Sequence, residues 1–137
     1  MTTEIRDLPG FPPDPGLEDA PFWEAADAGR LVLPRCRSCA TFIWYPRAFC
    51  PACHTSGVEW VPASGRGTVY SFTVSQRGMG PWAEHAPYVI AYVELEDGPR
   101  VLTNIVGADP DEVRIGDAVT AVFQPAGSHQ VLRFTPA

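Results

Sequence analysis

The stretch that decides the fold is Cys36-Arg37-Ser38-Cys39 and, after ten intervening residues, Cys50-Pro51-Ala52-Cys53. These two pairs contain all four cysteines of the 137-residue chain and share the same internal gap. A Cys-x-x-Cys turn lets two thiolates point at one centre, and two such turns facing each other form a tetrahedral sulfur cage. Zn²⁺ suits this cage, and Fe is the chemical alternative. The spacing therefore predicts a metal held by Cys36, Cys39, Cys50 and Cys53.

Two other roles exist for the same cysteines. Disulfide bridges are one, although secreted disulfide scaffolds are usually shorter and richer in cysteine. A thioredoxin-like redox pair is the other, and it needs a doublet that opens a helix in a βαβ context, which neither doublet has. In the metal interpretation the protein supplies all four ligands. No position is left for water or substrate, so the metal is expected to be structural.

The chain is acidic, and its charge is unevenly distributed. The formal net charge is −6 and the isoelectric point is about 4.9, which argues against a nucleic-acid partner. Residues 1–29 hold seven acids and one Arg, whereas residues 30–53 hold four Arg and no acid. These arginines, which include Arg37 and Arg47, either offset the charge of the metal thiolates or form a phosphate-facing patch.

The N-terminal stretch carries acids and no apolar core, and no segment reaches the roughly 18 consecutive apolar residues of a membrane span. We therefore expect no secretory signal, no membrane association and a cytoplasmic location, which suits thiolates that bind a metal.

Residues 1–30 predict a proline-rich arm followed by a short helix. Five prolines lie between residues 7 and 21, so this part is extended, either along its own domain or a partner or as a disordered segment. The helix begins at Pro21 and ends at Gly29, with Phe22 and Ala25–Ala26 on one face.

Residues 31–62 predict a zinc ribbon, with strands at 30–35, 41–47 and 58–62 around the two cysteine turns. A module of this size buries too little apolar surface to fold alone, so the metal supplies much of its folding energy. Such a ribbon is too small to bury all of its large aromatic side chains, which include Trp44, Tyr45 and Phe49. We therefore expect them, with the nearby Arg37 and Arg47, to contact a partner or a ligand.

Residues 63–137 predict a five-stranded barrel. The predicted strands are 68–74, 88–95, 100–106, 118–123 and 130–134, and Asp97-Gly98 marks a hairpin turn. Alternation places Tyr70, Phe72 and Val74 on one face. Five strands with a short helical connection after the third fit the OB-fold, although other small barrels have the same strand count.

The longest connection, residues 76–87, joins the first two barrel strands, where OB-folds commonly place binding loops. Met79 and Trp82 are its large apolar residues and are expected to contact a partner or a ligand. Alternatively, Trp82 folds back and caps the barrel. The sequence contains no Gly-rich phosphate loop, nucleophile elbow or paired His metal motif, so no catalytic residues are assigned.

Together the motifs resemble a known family. They are Phe22-Trp23, the two cysteine doublets, Ser64-Gly65-Arg66-Gly67-Thr68-Val69-Tyr70-Ser71, Pro87-Tyr88-Val89-Ile90-Ala91-Tyr92-Val93 and Arg114-Ile115-Gly116-Asp117-Ala118-Val119. In this order they are similar to the zinc-ribbon plus OB-fold proteins that accompany acyl-CoA thiolases. The resemblance implies a mainly β fold, in which a short N-terminal helix and a rubredoxin-like zinc ribbon precede a five-stranded OB-fold barrel. Ala40 and His54 depart from the glycine that often follows each doublet.

The resemblance also implies a function. Members of that family pair with thiolases, thiolase-like aldolases or enoyl-CoA hydratases that act on fatty acyl-CoA or steroid side chains. The expected role is a non-catalytic accessory subunit in a hetero-oligomer, which stabilises the partner and helps to hold the CoA ester. Two other functions stay open: an OB-fold that binds single-stranded nucleic acid, and a small enzyme acting on CoA esters by itself.

Overall fold

The computed structural model describes residues 4–137, and residues 1–3 of the predicted arm lie outside this range. One α-helix, α1 (Ala20–Asp27), precedes seven strands. The strands are β1 (Val32–Cys36), β2 (Val58–Pro62), β3 (Arg66–Ser75), β4 (Tyr88–Leu95), β5 (Arg100–Ile105), β6 (Ala118–Ala126) and β7 (His129–Pro136). Two 3₁₀ helices cover Gly80–His85 and Pro110–Glu112. Within the described range no helix is long and apolar enough to cross a membrane.

Strands β3 to β7 close into a barrel in the order β3-β4-β5-β7-β6, and β6 pairs back with β3. The β5–β7 pairing is parallel, and the other pairings are antiparallel. The second 3₁₀ helix follows the third barrel strand, and the Asp109 side chain caps it by accepting from the Asp111 N–H at 2.9 Å. This is the Greek-key arrangement of an OB-fold, so the predicted mainly β fold with a five-stranded barrel is confirmed.

A β-bulge in β3 changes which residues face the core. The register against β4 shifts between Val69 and Ser71, so one extra residue enters the strand. Val69 is buried, Tyr70 points outward, and Phe72 packs on the core again. The predicted face of Tyr70, Phe72 and Val74 was therefore wrong for Tyr70, because alternation cannot reveal an inserted residue.

The ribbon consists of one antiparallel pair, in which β1 runs against β2 from the Val32–Pro62 pair to the Cys36–Val58 pair. The predicted strand at 41–47 was wrong, since this segment makes only one isolated bridge, between Arg35 and Phe42. Strand β1 leads into the first cysteine doublet and pairs with β2, which follows the second doublet. Neither doublet is therefore enclosed by a hairpin of its own.

Helix α1 and β1 pack against the barrel. Phe22, Leu31 and Leu33 belong to the same buried cluster as the barrel residues Val69 and Phe134. Phe22, Ala25 and Ala26 form the buried face of α1, as the sequence predicted. Ribbon, helix and barrel therefore share one apolar core, while a smaller cluster of Cys36, Ile43 and Cys50 lies inside the ribbon.

Residues 4–16 of the arm have no regular secondary structure, but they are fixed to the barrel. Leu8 is buried, and its N–H donates to Gln124 Oε1 at 3.1 Å. Arg133 donates from Nη2 to the Pro9 carbonyl at 2.8 Å. Of the three alternatives predicted for this segment, the structure therefore supports an arm that lies along its own domain.

Candidate metal centre and contact surfaces

The four cysteine sulfurs converge. All four Sγ atoms lie within 4.8 Å of one another. The Cys36–Cys53 sulfurs are 3.5 Å apart and the Cys39–Cys50 sulfurs are 3.6 Å apart. A tetrahedron with metal–sulfur bonds of about 2.3 Å has sulfur–sulfur edges of about 3.8 Å. The geometry therefore fits one metal ion in a tetrathiolate cage.

Two matching turns position the sulfurs. The Ala40 N–H donates to the Cys36 carbonyl at 2.9 Å, and the His54 N–H donates to the Cys50 carbonyl at 2.8 Å. Each turn ends in a left-handed residue, with φ of 61° at Ala40 and 66° at His54. Left-handed backbone normally favours glycine, so both turns carry conformational strain at the positions where the sequence departs from the family pattern.

Two threonines support the cage, and both lie two residues after the second cysteine of a doublet. Thr55 Oγ1 is 3.3 Å from Cys36 Sγ and 3.2 Å from Cys53 Sγ, and Thr41 Oγ1 is 3.0 Å from Cys39 Sγ. The hydrogen bond with Thr55 lowers the pKa of Cys36 to about 6. The hydrogen bond with Thr41 likewise lowers the pKa of Cys39. Thiolates are the ligands a metal needs, so these bonds favour the binding form.

Sequence reasoning missed both threonines. The signal was present as the repeated spacing Cys39-x-Thr41 and Cys53-x-Thr55. Hydrogen bonds to the ligands orient the first coordination shell and tune its basicity, so this spacing belongs to the metal-site pattern.

The arginines near the ribbon are placed by a shared acid. Arg35 Nη2 lies 2.8 Å from Glu59 Oε1, and Arg37 Nε lies 3.8 Å from Glu59 Oε2. Glu59 is directly opposite Arg35 across the β1–β2 pair. Arg37 and Arg47 are both exposed. The structure therefore places two of the arginines against a carboxylate, a partner that neither sequence interpretation included.

The ribbon aromatics divide into packed and exposed groups. Trp44 is half-buried and meets Phe22 edge to face at 5.3 Å between ring centroids. Tyr45 is 46% exposed and donates to Asp19 Oδ2 at 2.6 Å. Burial, followed by this hydrogen bond, raises the pKa of Tyr45 to about 12. Phe49 is 45% exposed. Of the three predicted contact residues, Tyr45 and Phe49 thus reach the surface.

The loop between β3 and β4 places its two apolar residues differently. Trp82 is half-buried and packs against Tyr88, with ring centroids 4.6 Å apart and ring planes tilted by 47°, so it folds back onto the barrel. Met79 is 89% exposed. Both side chains border the same groove on the barrel surface, far along the chain from the cysteine cage.

The fold and the cysteine centre define a class of protein in which a metal-binding ribbon is joined to an OB-fold barrel. Family models match both parts. Residues 23–59 match the rubredoxin-like zinc ribbon domain of ChsH2, and residues 60–124 match the C-terminal OB-fold domain of ChsH2. The chain belongs to this ChsH2-type family, whose related proteins are also described by the name DUF35.

Curated relatives support this membership. A probable enoyl-CoA hydratase alpha subunit of Thermomonospora curvata is 43% identical over 91% of this chain, which spans only 40% of that relative's length. A DUF35 domain-containing scaffold protein of Methanothermobacter thermautotrophicus is 40% identical over 69% of this chain and 71% of its own length. The benzoylsuccinyl-CoA thiolase subunit BbsA of Thauera aromatica is 33% identical over 82% of this chain and 74% of its own length.

A solved structure shares the whole architecture. One chain of the Ltp2-ChsH2(DUF35) aldolase superposes with a TM-score of 0.83 at 37% identity, covering 91% of this chain and 98% of that one. The resemblance predicted from the sequence is therefore confirmed at the level of family and fold.

Proposed function

We propose that this protein is a non-catalytic accessory subunit of an acyl-CoA-metabolising complex. It binds and stabilises a thiolase or a thiolase-like (retro-)aldolase in a hetero-oligomer. Fatty acyl-CoA or steroid degradation is the proposed setting, with the CoA ester held in part by this chain.

The observation that carries the proposal is the match with one chain of an aldolase over nearly the full length of both chains. The related thiolase subunit and scaffold protein point to the same kind of role. The cysteine centre agrees with it, because four protein ligands complete a tetrahedral site and leave no position for a reacting group.

We further propose that the metal is Zn²⁺, held by Cys36, Cys39, Cys50 and Cys53. When bound, the ion acts as a structural cross-link and a source of folding free energy. The chain's own contribution is to hold four sulfurs in place through the two left-handed turns and to favour the thiolate forms of Cys36 and Cys39 through Thr55 and Thr41.

The ribbon supplies the proposed partner surface. Tyr45 and Phe49 expose aromatic area on the ribbon, and Arg37 and Arg47 of the same ribbon are exposed as well. Exposed aromatics and arginine are the residue types that carry binding energy at protein interfaces. Trp44 supports this surface from beneath, since it packs between Phe22 and Tyr45. The side chains of Met79 and Trp82, on the barrel, are proposed to contact a partner or a ligand.

The proposed units are the arm and helix over 1–30, the ribbon over 31–62 and the barrel over 63–137. The chain is proposed to act in the cytoplasm, where reduced thiols persist for metal binding.

Co-expression with a thiolase-like protein of the same organism tests the proposal. Size-exclusion chromatography with light scattering is expected to show one complex that contains both chains. Phe49→Ser is expected to weaken the complex, whereas Ile115→Ser, at an apolar residue that is 69% exposed on the barrel, serves as the matched control. Separate elution of the two wild-type chains at micromolar concentration would overturn the proposal for that partner.

A further inference from the structure

A groove on the barrel surface is built from three distant parts of the chain. Its cavity of about 600 Å³ lies between the arm, the loop at 76–87 and strands β4, β5 and β7. This volume is in the range of small-molecule sites, roughly 300–1,000 Å³. The groove lies on the barrel face and beside the loop that OB-folds commonly use for ligands.

The walls of the groove are apolar. Trp82 and Tyr88 pack against each other along one side. Phe11, Met79 and Leu102 border it, although they are 79%, 89% and 62% exposed. Large apolar side chains that are exposed around a concave surface indicate a site that binds apolar ligands.

The floor carries buried polar groups. Thr103, Asn104 and Arg133 are only 5%, 7% and 8% exposed, and all three line the groove. Asn104 donates from Nδ2 to the Val89 carbonyl at 2.8 Å, and the Thr103 hydroxyl donates to the Leu132 carbonyl at 3.0 Å. These bonds fix the floor rigidly on β4, β5 and β7.

Arg133 brings a positive charge into this floor without an acidic partner. No ion pair among residues 4–137 includes it. Its neighbours are neutral: the Pro9 carbonyl at 2.8 Å, Gln124 Oε1 at 3.4 Å, and the Trp82 ring at 5.8 Å from Cζ. These hydrogen bonds use two of the five N–H donors of a guanidinium. A buried charge normally has a counter-charge, so the groove favours an anion.

The groove contains one buried positive charge, the guanidinium of Arg133. Arg77 also lines the groove but is exposed to solvent, and no acid within residues 4–137 is among the lining residues. One buried guanidinium is matched by one anionic group. A carboxylate matches a guanidinium fork, and the walls leave room for an apolar body.

We propose that this groove binds apolar organic monocarboxylates, with the carboxylate on Arg133 and the hydrocarbon chain or ring between Trp82, Met79 and Leu102. Such a site is separate from the cysteine centre and from the ribbon surface. Two of its parts, the arm and β7, lie outside the residues that match the family models.

Titration of the isolated, metal-loaded full chain with sodium octanoate tests the proposal, with amide chemical shifts as the readout. Saturable shifts are expected at residues 77–80, 82, 88–90, 102–104 and 133. Octanol, which has the same chain without the charge, is expected to bind at least about tenfold more weakly, since a hydrogen-bonded charge is lost. No saturable shift with octanoate, or equal binding of octanol, would overturn the proposal.

Variants separate the groove from general surface effects. Leu102→Glu places a carboxylate in the groove and is expected to abolish octanoate binding, whereas Ile115→Glu makes the same change at an exposed apolar residue outside it and leaves binding unchanged. Arg133→Lys keeps the positive charge but loses the planar guanidinium that can bind both carboxylate oxygens. About a tenfold loss of octanoate affinity is therefore expected. Equal effects of Leu102→Glu and Ile115→Glu would contradict the assignment. Because no partner protein is present, the outcome is independent of the proposed accessory function.

Discussion

The backbone N–H of Leu8 donates to the side-chain Oε1 of Gln124 at 3.1 Å, across a sequence separation of 116 residues. The side-chain amide of Gln124 also donates from Nε2 to the Arg6 carbonyl at 2.9 Å. Gln124 therefore pairs with the arm as a neighbouring strand would. Gln124 itself is only 2% exposed. Gln124, together with the Arg133 bond to the Pro9 carbonyl, therefore holds the proline-rich arm on the barrel.

Replacing Gln124 by alanine is expected to release the arm. The substitution removes both hydrogen bonds to the arm and the one that Gln124 Oε1 accepts from Arg133 Nε. It leaves the buried Leu8 N–H without a partner, which by itself costs about 1–3 kcal/mol. Chemical denaturation is expected to show this loss in the free energy of unfolding, and limited proteolysis is expected to cut within residues 4–16. Gln76→Ala, at an exposed glutamine, is the matched control. If the arm of Gln124→Ala were as resistant to protease as that of Gln76→Ala, the arm would not depend on this contact.

Purified wild-type protein is expected to contain one zinc ion per chain by elemental analysis, since the sulfurs of the cage surround a single centre. Cys39→Ser is expected to lose the metal and to unfold the ribbon, because metal binding supplies the folding energy of so small a module. Circular dichroism with and without a chelator reports the unfolding. Stoichiometric iron would correct the identity of the metal, whereas a metal-free, fully folded protein would contradict the centre itself.

Glycine is expected to relieve the backbone strain in the two left-handed turns of the ribbon. Ala40→Gly and His54→Gly are each expected to raise the free energy of unfolding by about 0.5–1 kcal/mol, since a non-glycine residue at positive φ costs more than the added chain entropy of glycine. Thermal unfolding checks the effect. Ala28→Gly, at φ −92°, is the control and is expected to destabilise the protein. A loss of stability for both turn variants would show that these turns are not strained.

Tyr45 is expected to make stability depend on alkaline pH. Burial and the hydrogen bond to Asp19 raise its folded pKa to about 12, above the unfolded value of about 10. The contribution of Tyr45 is therefore complete below pH of about 10 and is lost as the pH rises towards 12, because the unfolded chain ionises first. Subtracting the tyrosinate absorbance titration of Tyr45→Phe from that of the wild type isolates this group. A difference curve with its midpoint near 10 would contradict the burial of this hydroxyl.

The features that follow from local chemistry were predictable from the sequence. The spacing of the cysteines predicted the cage, and Asp97-Gly98 predicted the β4–β5 hairpin because a tight turn needs a residue at positive φ, which Gly98 has at 122°. The face of α1 followed from helical spacing at Phe22 and Ala25–Ala26.

The features that depend on distant contacts were not predictable. The bulge after Val69 follows from pairing with β4, and no local pattern in β3 marks it. The burial of Gln124 and Arg133 follows from the arm crossing the barrel more than a hundred residues away in sequence. Polar residues on a strand normally predict the solvent face, so the burial of these two residues could not be predicted from the strand pattern.

The most direct test of the central claim is a reconstitution measurement with a thiolase-like protein of the same organism. Turnover of an acyl-CoA substrate is measured for each purified chain and for the mixture. No turnover is expected from this chain alone, whereas the mixture is expected to show turnover or greater enzyme stability that depends on a stable complex. Turnover of the substrate by this chain alone, at the rate of the mixture, would contradict the central claim.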